Sequence, residues 1–245
     1  MKEYISSFLE EKELAENSRL AYLYDLQQFA EVCQENISQA KLAIYQASLQ
    51  EFKPTVQRRK LSAVNQFLFF LYEKNYLDRF YKLKASSVAK ISQSKQPKKA
   101  EDTASLWHET VYPKGQLIAL LILTLGLIPS EIALIRQENL DLSFQILTLE
   151  NEKGKRIMNL PKELIPYLEN QLVGTYLFDK KGQSYSRQWF FNRLSEFVTS
   201  IGHKTWTAQY LRDQYILAQL ELGLSVDDLA KQLGLSSQMG LEKYR

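Results

Sequence analysis

Apolar side chains recur at helical spacing along most of this chain. The first apolar face carries Tyr4, Ile5, Phe8 and Leu9. A second helix is predicted after Asn17, a residue that favours the N-cap position. Its apolar face carries Tyr22, Leu26, Phe29, Val32 and Cys33. A third helix is predicted from Leu42 to Phe52, because Pro54 cannot continue it. We therefore expect residues 1–80 to form a helical bundle.

The fourth predicted helix of this bundle has an apolar side and a basic start. Thr55 can cap it. Its buried stripe should consist of Leu61, Val64, Leu68 and Leu71. The basic residues of its opening turns are Arg58, Arg59 and Lys60. We expect these three side chains to contact DNA phosphates, although they could simply offset the acidic first helix.

The positive charge of the chain is concentrated in one segment. Residues 53–99 contain 12 Lys and Arg against 2 Asp and Glu, whereas the rest of the chain contains 19 against 26. Such a local excess suits a polyanionic partner. A solvated linker would explain the charge equally well.

A composition change divides the chain in two. Ser, Gln and Lys dominate residues 86–104, which have almost no apolar periodicity. We therefore predict one domain at 1–88, a basic and polar linker at 89–104, and a second domain at 105–245.

The second domain is predicted to be mostly helical with a small β element. An apolar helix ends near Leu127, and the next opens at Pro129 with Ser130 as its cap. Alternation within residues 145–160 predicts a β-hairpin with a glycine turn. Helical spacing resumes after that, with a break at Gly182 and a C-cap at Gly223. The fold class is therefore mainly α, with a small β-hairpin or sheet.

Several protein classes are excluded by composition. A single cysteine, Cys33, rules out a disulfide framework, and two histidines are too few for a Cys/His zinc site. The longest apolar run, residues 117–127, is shorter than the roughly 18–20 residues of a membrane span. Acidic residues in the first helix exclude a signal peptide. We expect a soluble cytoplasmic protein with no metal and no membrane contact.

Two motifs of the first domain match patterns of a known family. Residues 17–26 match the pattern Asn-Thr-x-x-x-Tyr-x-x-Asp-Leu, and the segment from Arg59 to Phe67 matches Arg-x-Leu-Ser-Ala-Leu-x-x-Phe. In both, the chain resembles the tyrosine recombinases of the phage integrase family, most closely the Xer branch. The resemblance implies that the first domain is the SAM-like core-binding domain, which clasps one side of a DNA duplex.

The second domain resembles the catalytic domain of the same family, with several positions replaced. Residues 125–132 match Thr-Gly-Leu-Arg-Ile-Ser-Glu-Leu with Ile128 in place of the arginine. In the hairpin, Lys153 best matches the catalytic lysine of the family, and Lys155 is the alternative match. Residues 207–213 match the His-x-Leu-Arg-His box. There Arg212 is retained, and Gln209 takes the place of the first histidine.

Two further positions complete the resemblance. Asp213 takes the place of the second histidine of the box. Leu235 replaces the histidine of the family's Leu-Gly-His motif, and Tyr244 follows nine residues later, at the family's spacing for the nucleophile. The resemblance implies catalytic roles for Tyr244, Arg212 and Lys153. It marks Ile128, Gln209 and Leu235 as degenerate positions.

The family's reaction explains why these replacements matter. A tyrosine oxygen attacks a DNA phosphodiester, forms a 3′-phosphotyrosyl bond and releases a 5′-hydroxyl, without metal or nucleotide cofactor. Guanidinium groups stabilise the negative charge of the transition state. Loss of one such donor costs roughly 10²- to 10³-fold in rate. We therefore expect strand exchange to be impaired, unless another residue substitutes; Arg136 and Arg156 are the nearest candidates.

Other interpretations of these residues stay open. Without the resemblance, Lys153 would be a solvated turn lysine, Arg212 a surface arginine paired with Asp213, and Tyr244 one of 14 tyrosines. The expected partner is double-stranded DNA, with another recombinase protomer as a second possibility. Relatives usually continue beyond the tyrosine into a segment that docks on a neighbouring protomer, so the end at Arg245 weakens the case for a cyclic tetramer. The alternatives are a DNA-binding accessory or architectural protein without catalysis and a protein that makes protein contacts only.

Overall fold

The computed structural model describes residues 2–34, 36–84, 100–151 and 154–244. The chain divides into two compact units, residues 1–95 and 96–245. Each unit has its own hydrophobic core, and the two are described separately.

Over its described residues, the first unit is a bundle of four helices. They are α1 (Lys2–Glu10), α2 (Glu16–Cys33), α3 (Gln39–Ser48) and α4 (Pro54–Glu73), with a 3₁₀ turn at Leu49–Glu51. The predicted stripe of α4 is buried, because Leu61, Val64, Leu68 and Leu71 are each at most 6% exposed. Helical periodicity therefore identified the core-facing side of this helix.

Two predicted helix caps of this unit are wrong. Asn17 lies inside the first turn of α2, which begins at Glu16 without a side-chain cap. Thr55 lies inside α4, because Pro54 occupies the first helical position. Proline lacks an N–H group and its φ angle is already helical, so it starts a helix without a capping side chain.

A buried ion pair joins α2 to α4. The Asp25 carboxylate is 1% exposed, and its Oδ1 accepts hydrogen bonds from Lys60 Nζ at 3.0 Å and from Arg59 Nη2 at 3.1 Å. Lys60 Nζ also donates to Gln28 Oε1 at 2.5 Å and lies 4.9 Å from the centre of the Phe52 ring. The Lys60 ammonium is therefore part of the bundle interior.

The second unit contains six helices and two small antiparallel sheets within its described residues. The helices are α5 (Pro113–Leu125), α6 (Pro129–Ile132), α7 (Ile165–Glu169), α8 (Arg187–Ser200), α9 (Ala208–Glu221) and α10 (Val226–Gln232). The first sheet has the strands β1 (Leu140–Asp141), β2 (Ile146–Asn151) and β3 (Gly154–Asn159). The second pairs β4 (Asp179–Lys180) with β5 (Gln183–Ser184).

Helix α5 is the centre of this unit. Residues 117–122 are all at most 1% exposed, and the helix packs against α8 and α9. A Cβ atom at Gly115 would overlap the Arg193 carbonyl oxygen of α8, so only glycine allows this approach. None of the helices in the described ranges combines the length and apolarity that a bilayer span requires.

The predicted hairpin is the β2–β3 pair, in which Leu147 lies opposite Met158 and Leu149 opposite Arg156. The two-residue strand β1 extends this sheet and was not predicted, because it is too short to show alternation. The predicted break at Gly182 is the turn of the β4–β5 hairpin, where Gly182 has φ +80°. The mainly helical fold class with a small antiparallel sheet is thus confirmed.

The predicted cap of α6 is wrong. Ser130 lies inside the helix, which begins at Pro129. The Glu131 carboxylate instead accepts the backbone N–H of Ile128 at 3.0 Å, and so holds the start of α6.

Candidate functional site

A pocket of about 770 Å³ in the second unit brings several predicted positions together. Ile128, Arg212 and Leu235 all line it, although they come from three separate motifs. Ile128 precedes α6, Arg212 is on α9 and Leu235 follows α10. These three predicted positions therefore bring one cationic side chain and two apolar ones to the pocket wall.

Arg212 is the buried cation of this pocket. Arg212 as a whole is 9% exposed to solvent. Burial lowers the pKa of the Arg212 guanidinium, Glu131 raises it, and the neighbouring Arg156 charge lowers it further. Within the described ranges, no carboxylate pairs with the Arg212 guanidinium and no oxygen accepts a hydrogen bond from it. A guanidinium with unused donors beside a pocket can bind a phosphate or another anion.

Arg156 is a second guanidinium in the same pocket. From β3, its Nη1 donates to the backbone oxygen of Gln232 at 2.9 Å, and its Nη2 pairs with the Glu131 carboxylate. A Cβ atom at Gly234, where φ is +64°, would lie 3.0 Å from Arg156 Cζ, so the glycine makes room for the guanidinium. Arg156 thus lines the pocket while two of its donors are used by the protein.

The second candidate substitute, Arg136, also lines the pocket but is exposed. Its Nη1 pairs with Glu138 at 3.2 Å, and its guanidinium lies over the Tyr176 ring at 5.5 Å. Arg136 is therefore tied to its own neighbours, whereas Arg156 is partly buried close to Arg212.

Tyr244 is hydrogen-bonded to α9. It lies in a 3₁₀ turn, Glu242–Tyr244, and its Oη donates to Asp213 Oδ1 at 2.5 Å. The same carboxylate oxygen accepts Gln209 Nε2 at 2.6 Å. Three positions aligned from the sequence resemblance therefore meet in one polar network.

The electrostatics of this network keep Tyr244 protonated. Burial and the hydrogen bond to Asp213 raise the pKa of the Tyr244 hydroxyl well above its ordinary value. Arg212 and Gln209 act in the opposite direction and lower this pKa. Arg212 is thus close enough to Tyr244 for its charge to act on the hydroxyl. A neutral phenol is a weak nucleophile, so attack by Tyr244 requires a proton acceptor.

The structure separates the remaining predicted residues. Lys153, the predicted catalytic lysine, lies outside the described residues. Lys155 is exposed on β3 and does not line the pocket. No group of three His, Cys, Asp or Glu side chains within the described ranges is placed to hold a metal ion.

The three basic residues at the start of α4 point in different directions. Arg58 is exposed, and the Arg59 side chain is 42% exposed although it pairs with Asp25. The Lys60 side chain is 7% exposed and its ammonium is held by Asp25 and Gln28. For Lys60, the expected phosphate contact is corrected to a structural role, because the helix turns this residue toward the core.

Comparison with solved structures places the fold among the integrases and recombinases. The Tn1549 transposon integrase, in complex with transposon right end DNA, matches with a TM-score of 0.75 at 13% identity, over 98% of this chain and 92% of that chain. A lambda integrase tetramer bound to a Holliday junction matches with a TM-score of 0.74 at 12% identity, over 99% and 75%. The XerH site-specific recombinase bound to difH substrate matches with a TM-score of 0.71 at 12% identity, over 100% and 81%. The fold is therefore the one shared by these integrases and recombinases.

Sequence comparison identifies the branch. Residues 1–75 match the phage integrase N-terminal SAM-like domain. The Tyrosine recombinase XerD-like protein of Streptococcus suis strain 05ZYH33 is 56% identical over 245 residues, which cover 100% of both chains. The protein of the same description from Streptococcus sanguinis strain SK36 is 48% identical over 246 residues, again covering 100% of both. The chain belongs to the XerD-like tyrosine recombinases, which confirms the family predicted from its motifs.

Proposed function

We propose that this chain binds duplex DNA and that Tyr244 forms a 3′-phosphotyrosyl bond with it at a strongly reduced rate. The observation that carries the proposal is that Arg212 lines the pocket and that its charge acts on the neighbouring Tyr244 hydroxyl. A buried guanidinium whose donors have no partner among the described residues is suited to a phosphodiester, and a tyrosine oxygen lies within the field of its charge.

The chemistry is a displacement at phosphorus. Tyr244 Oη forms a bond to phosphorus as the bond to the 5′-oxygen breaks, and negative charge develops on the non-bridging oxygens. Arg212 would stabilise this charge with two parallel hydrogen bonds. The pKa of its guanidinium, although lowered by burial, is still that of a permanent cation at neutral pH.

The reduced rate follows from the pocket wall. Ile128 and Leu235 line the pocket and offer no hydrogen-bond donor. Each lost donor costs roughly 10²- to 10³-fold in rate, with strong non-additivity when the donors act together. Gln209 keeps an amide, which can donate a hydrogen bond but cannot carry a proton.

DNA binding draws on the first domain as well. We assign residues 1–88 to a core-binding domain, 89–104 to a linker, of which residues 89–99 lie outside the described ranges, and 105–245 to a catalytic domain. The integrases of similar fold include one solved with transposon right end DNA and one solved as a tetramer on a Holliday junction. By analogy, duplex DNA is the proposed ligand and further protomers are the proposed partners. Arg58, exposed near the start of α4, is the first candidate for a phosphate contact.

The test is a search for the covalent adduct. A binding site is first selected from a pool of random duplexes, and duplexes carrying this site are then nicked at successive positions so that a cleaved short fragment diffuses away. We expect a slowly accumulating protein–DNA adduct on a denaturing gel, and its loss in Tyr244→Phe. Tight DNA binding with no adduct at any nick position would contradict the catalytic proposal.

A second candidate function is that of a DNA-binding accessory protein. It is favoured by the two apolar positions Ile128 and Leu235 and by the hydrogen bond that occupies the Tyr244 hydroxyl. It predicts salt-dependent duplex binding that Tyr244→Phe leaves unchanged, and no adduct. A protein that only contacts other proteins would instead bind duplex DNA weakly and without salt dependence.

A further inference from the structure

We propose that Asp213 is the proton acceptor for the Tyr244 hydroxyl in the cleavage step. This role rests on the proposed function, since it assigns a task within the same reaction. The geometry points to it because the Asp213 carboxylate is directly hydrogen-bonded to the attacking oxygen, with Oη and Oδ1 2.5 Å apart.

Helix α9 presents this carboxylate in a fixed orientation. Gln209 and Asp213 are four residues apart, so they lie on the same face of the helix. The Gln209 amide donates to Asp213 Oδ1 at 2.6 Å, and Asp213 is 9% exposed. The carboxylate is thus held in place by a residue of its own helix as well as by Tyr244.

Within the described ranges, two polar side chains contact Tyr244 Oη, and Asp213 is the one of them that can accept a proton. The Gln209 amide donates hydrogen bonds and does not take up protons at neutral pH. Burial and Asp213 itself raise the pKa of Tyr244, so little phenolate forms spontaneously. Attack must therefore be coupled to transfer of the proton, and a carboxylate within hydrogen-bonding distance can receive it.

The step balances without an additional reagent. The Oη–phosphorus bond forms, the bond between phosphorus and the 5′-oxygen breaks, and the Oη proton moves to Asp213. The 5′-oxygen takes a proton from water, the hydroxide so formed takes up the proton held by Asp213, and the phosphodiester charge is the same before and after. In the reverse reaction, protonated Asp213 returns the proton to Oη as the strand is rejoined.

Other charges face this pair from the surrounding elements. Arg212, next to Asp213 on α9, lowers the pKa of Tyr244, and Lys243 Nζ lies 4.6 Å from the centre of the Tyr244 ring. Arg156 from β3 and Glu131 from α6 act on Arg212. All four groups are present in every variant compared below, so differences between variants report on Asp213.

A merely structural Asp213 makes the opposite prediction. If this carboxylate only held Tyr244 in place, its negative charge would hinder attack, because it raises the pKa of the hydroxyl. Asp213→Asn would then keep an acceptor oxygen for Tyr244, remove that charge and speed cleavage at neutral pH. If Asp213 accepts the proton, the same variant must slow cleavage. The two roles are therefore separated by the sign of one rate change.

The experiment uses the full chain. Its substrate is a duplex in which sulfur replaces the bridging 5′-oxygen of the phosphodiester that is cleaved in the nicked duplexes. A thiolate leaves without a proton donor, so the adduct rate reports on attack alone. We expect Asp213→Asn to form adduct about 10²-fold more slowly than wild type near neutral pH. Its rate should rise about tenfold per pH unit as phenolate forms, so that the two proteins converge in alkali. Asp227→Asn, an exposed carboxylate of α10, is the matched control and should be unchanged.

The outcomes distinguish this proposal from the proposed function. A wild-type adduct that Asp213→Asn forms equally fast or faster overturns the role of Asp213 alone. Absence of any wild-type adduct overturns both proposals. If Asp213→Asn does not fold, the pH dependence of the wild-type adduct rate tests the role of Asp213 instead. Proton transfer to Asp213 gives a nearly flat rate across neutral pH, whereas a steady rise of about tenfold per pH unit contradicts it.

Discussion

Arg156 of strand β3 is paired with Glu131 of helix α6, and the pair lies in the wall of the pocket that contains Arg212. The Glu131 carboxylate also accepts the backbone N–H of Ile128 at the start of α6. One carboxylate thus joins the hairpin to the helix that begins directly after Ile128, the replaced arginine position. Arg156 pairs with Glu131, and in the part of the chain that the structure describes the Arg212 donors have no partner.

Arg156→Ala should destabilise the second unit by about 1–3 kcal/mol, between the values for surface and buried ion pairs. The side chains of Arg156 and Glu131 are 14% and 18% exposed, so the unpaired carboxylate would be poorly solvated. Urea unfolding followed by tryptophan fluorescence measures this loss, because Trp107, Trp189 and Trp206 are all in the second unit.

Lys155→Ala is the control for this prediction. Lys155 is the preceding residue on β3, but its side chain is exposed. Its removal should change the free energy of unfolding by less than about 0.5 kcal/mol. Equal destabilisation by the two variants would show that the Arg156 pair contributes nothing beyond a surface contact.

Arg212→Met should stabilise the second unit while abolishing the adduct. The substitution replaces a buried cation that has no ion-pair partner within the described ranges by an apolar side chain of similar length, which removes the cost of desolvating the charge. We expect a gain of about 1 kcal/mol or more, the trade-off typical of a functional site. Thermal unfolding of Arg212→Met and of Arg187→Met, an exposed arginine of α8, measures the difference. A lower melting temperature for Arg212→Met would mean that the guanidinium stabilises the fold.

The sequence motifs predicted some residues of this site, whereas the orientation of side chains on a short strand could not be predicted from the sequence. Register within the motifs singled out positions 128, 212 and 235, which line one pocket, and Tyr244, on whose hydroxyl the Arg212 charge acts. The inward orientation of the Arg156 side chain was not predicted, because polar and apolar residues do not alternate regularly over residues 155–158. Ile157 is apolar yet 66% exposed, while Arg156 lies on the same face of β3 as buried Met158. Which face of a short strand meets the core depends on tertiary packing.

At the basic start of α4, helical spacing alone indicates that the Lys60 side chain is buried. Lys60 lies four residues before Val64 and eight before Leu68, so it continues the buried stripe of the helix. Grouping it with its sequence neighbours Arg58 and Arg59 ignored that spacing. Its partner Asp25 was visible only as part of a motif, because a contact between distant helices cannot be derived from local spacing.

Lys60 and Arg58 should therefore have separable phenotypes. Lys60→Ala leaves the Asp25 carboxylate buried with only Arg59 beside it, so the first unit should lose about 3–5 kcal/mol of stability. Arg58→Ala should leave stability unchanged, weaken binding to all duplexes similarly and reduce the salt slope by about one. Denaturation followed by circular dichroism and DNA titrations at several salt concentrations test both variants. A salt slope that falls in Lys60→Ala but not in Arg58→Ala would reverse the assignment.

Cys33 should make the stability of the first unit depend on alkaline pH. The thiol is fully buried at the end of α2, and burial raises its pKa from the ordinary value of 9.0 to about 11. Between these values the unfolded chain releases a proton that the folded unit retains, so stability is complete below about pH 9 and falls as pH rises toward 11.

The expected slope is at most about 1.4 kcal/mol per pH unit for this one group. Tyr45 in the same core acts in the same direction, because burial also raises its pKa. Cys33→Ala should therefore be less stable at neutral pH, through the cavity it leaves, but should lose less stability between pH 9 and 11 than the wild-type protein. Parallel pH profiles for the two proteins would mean that the thiol keeps the same pKa in the folded and unfolded chain. Because Cys33 is the only cysteine, labelling by a thiol reagent gives a second readout. Modification should occur only when the first unit opens, since the reactive thiolate is scarce and inaccessible in the folded state.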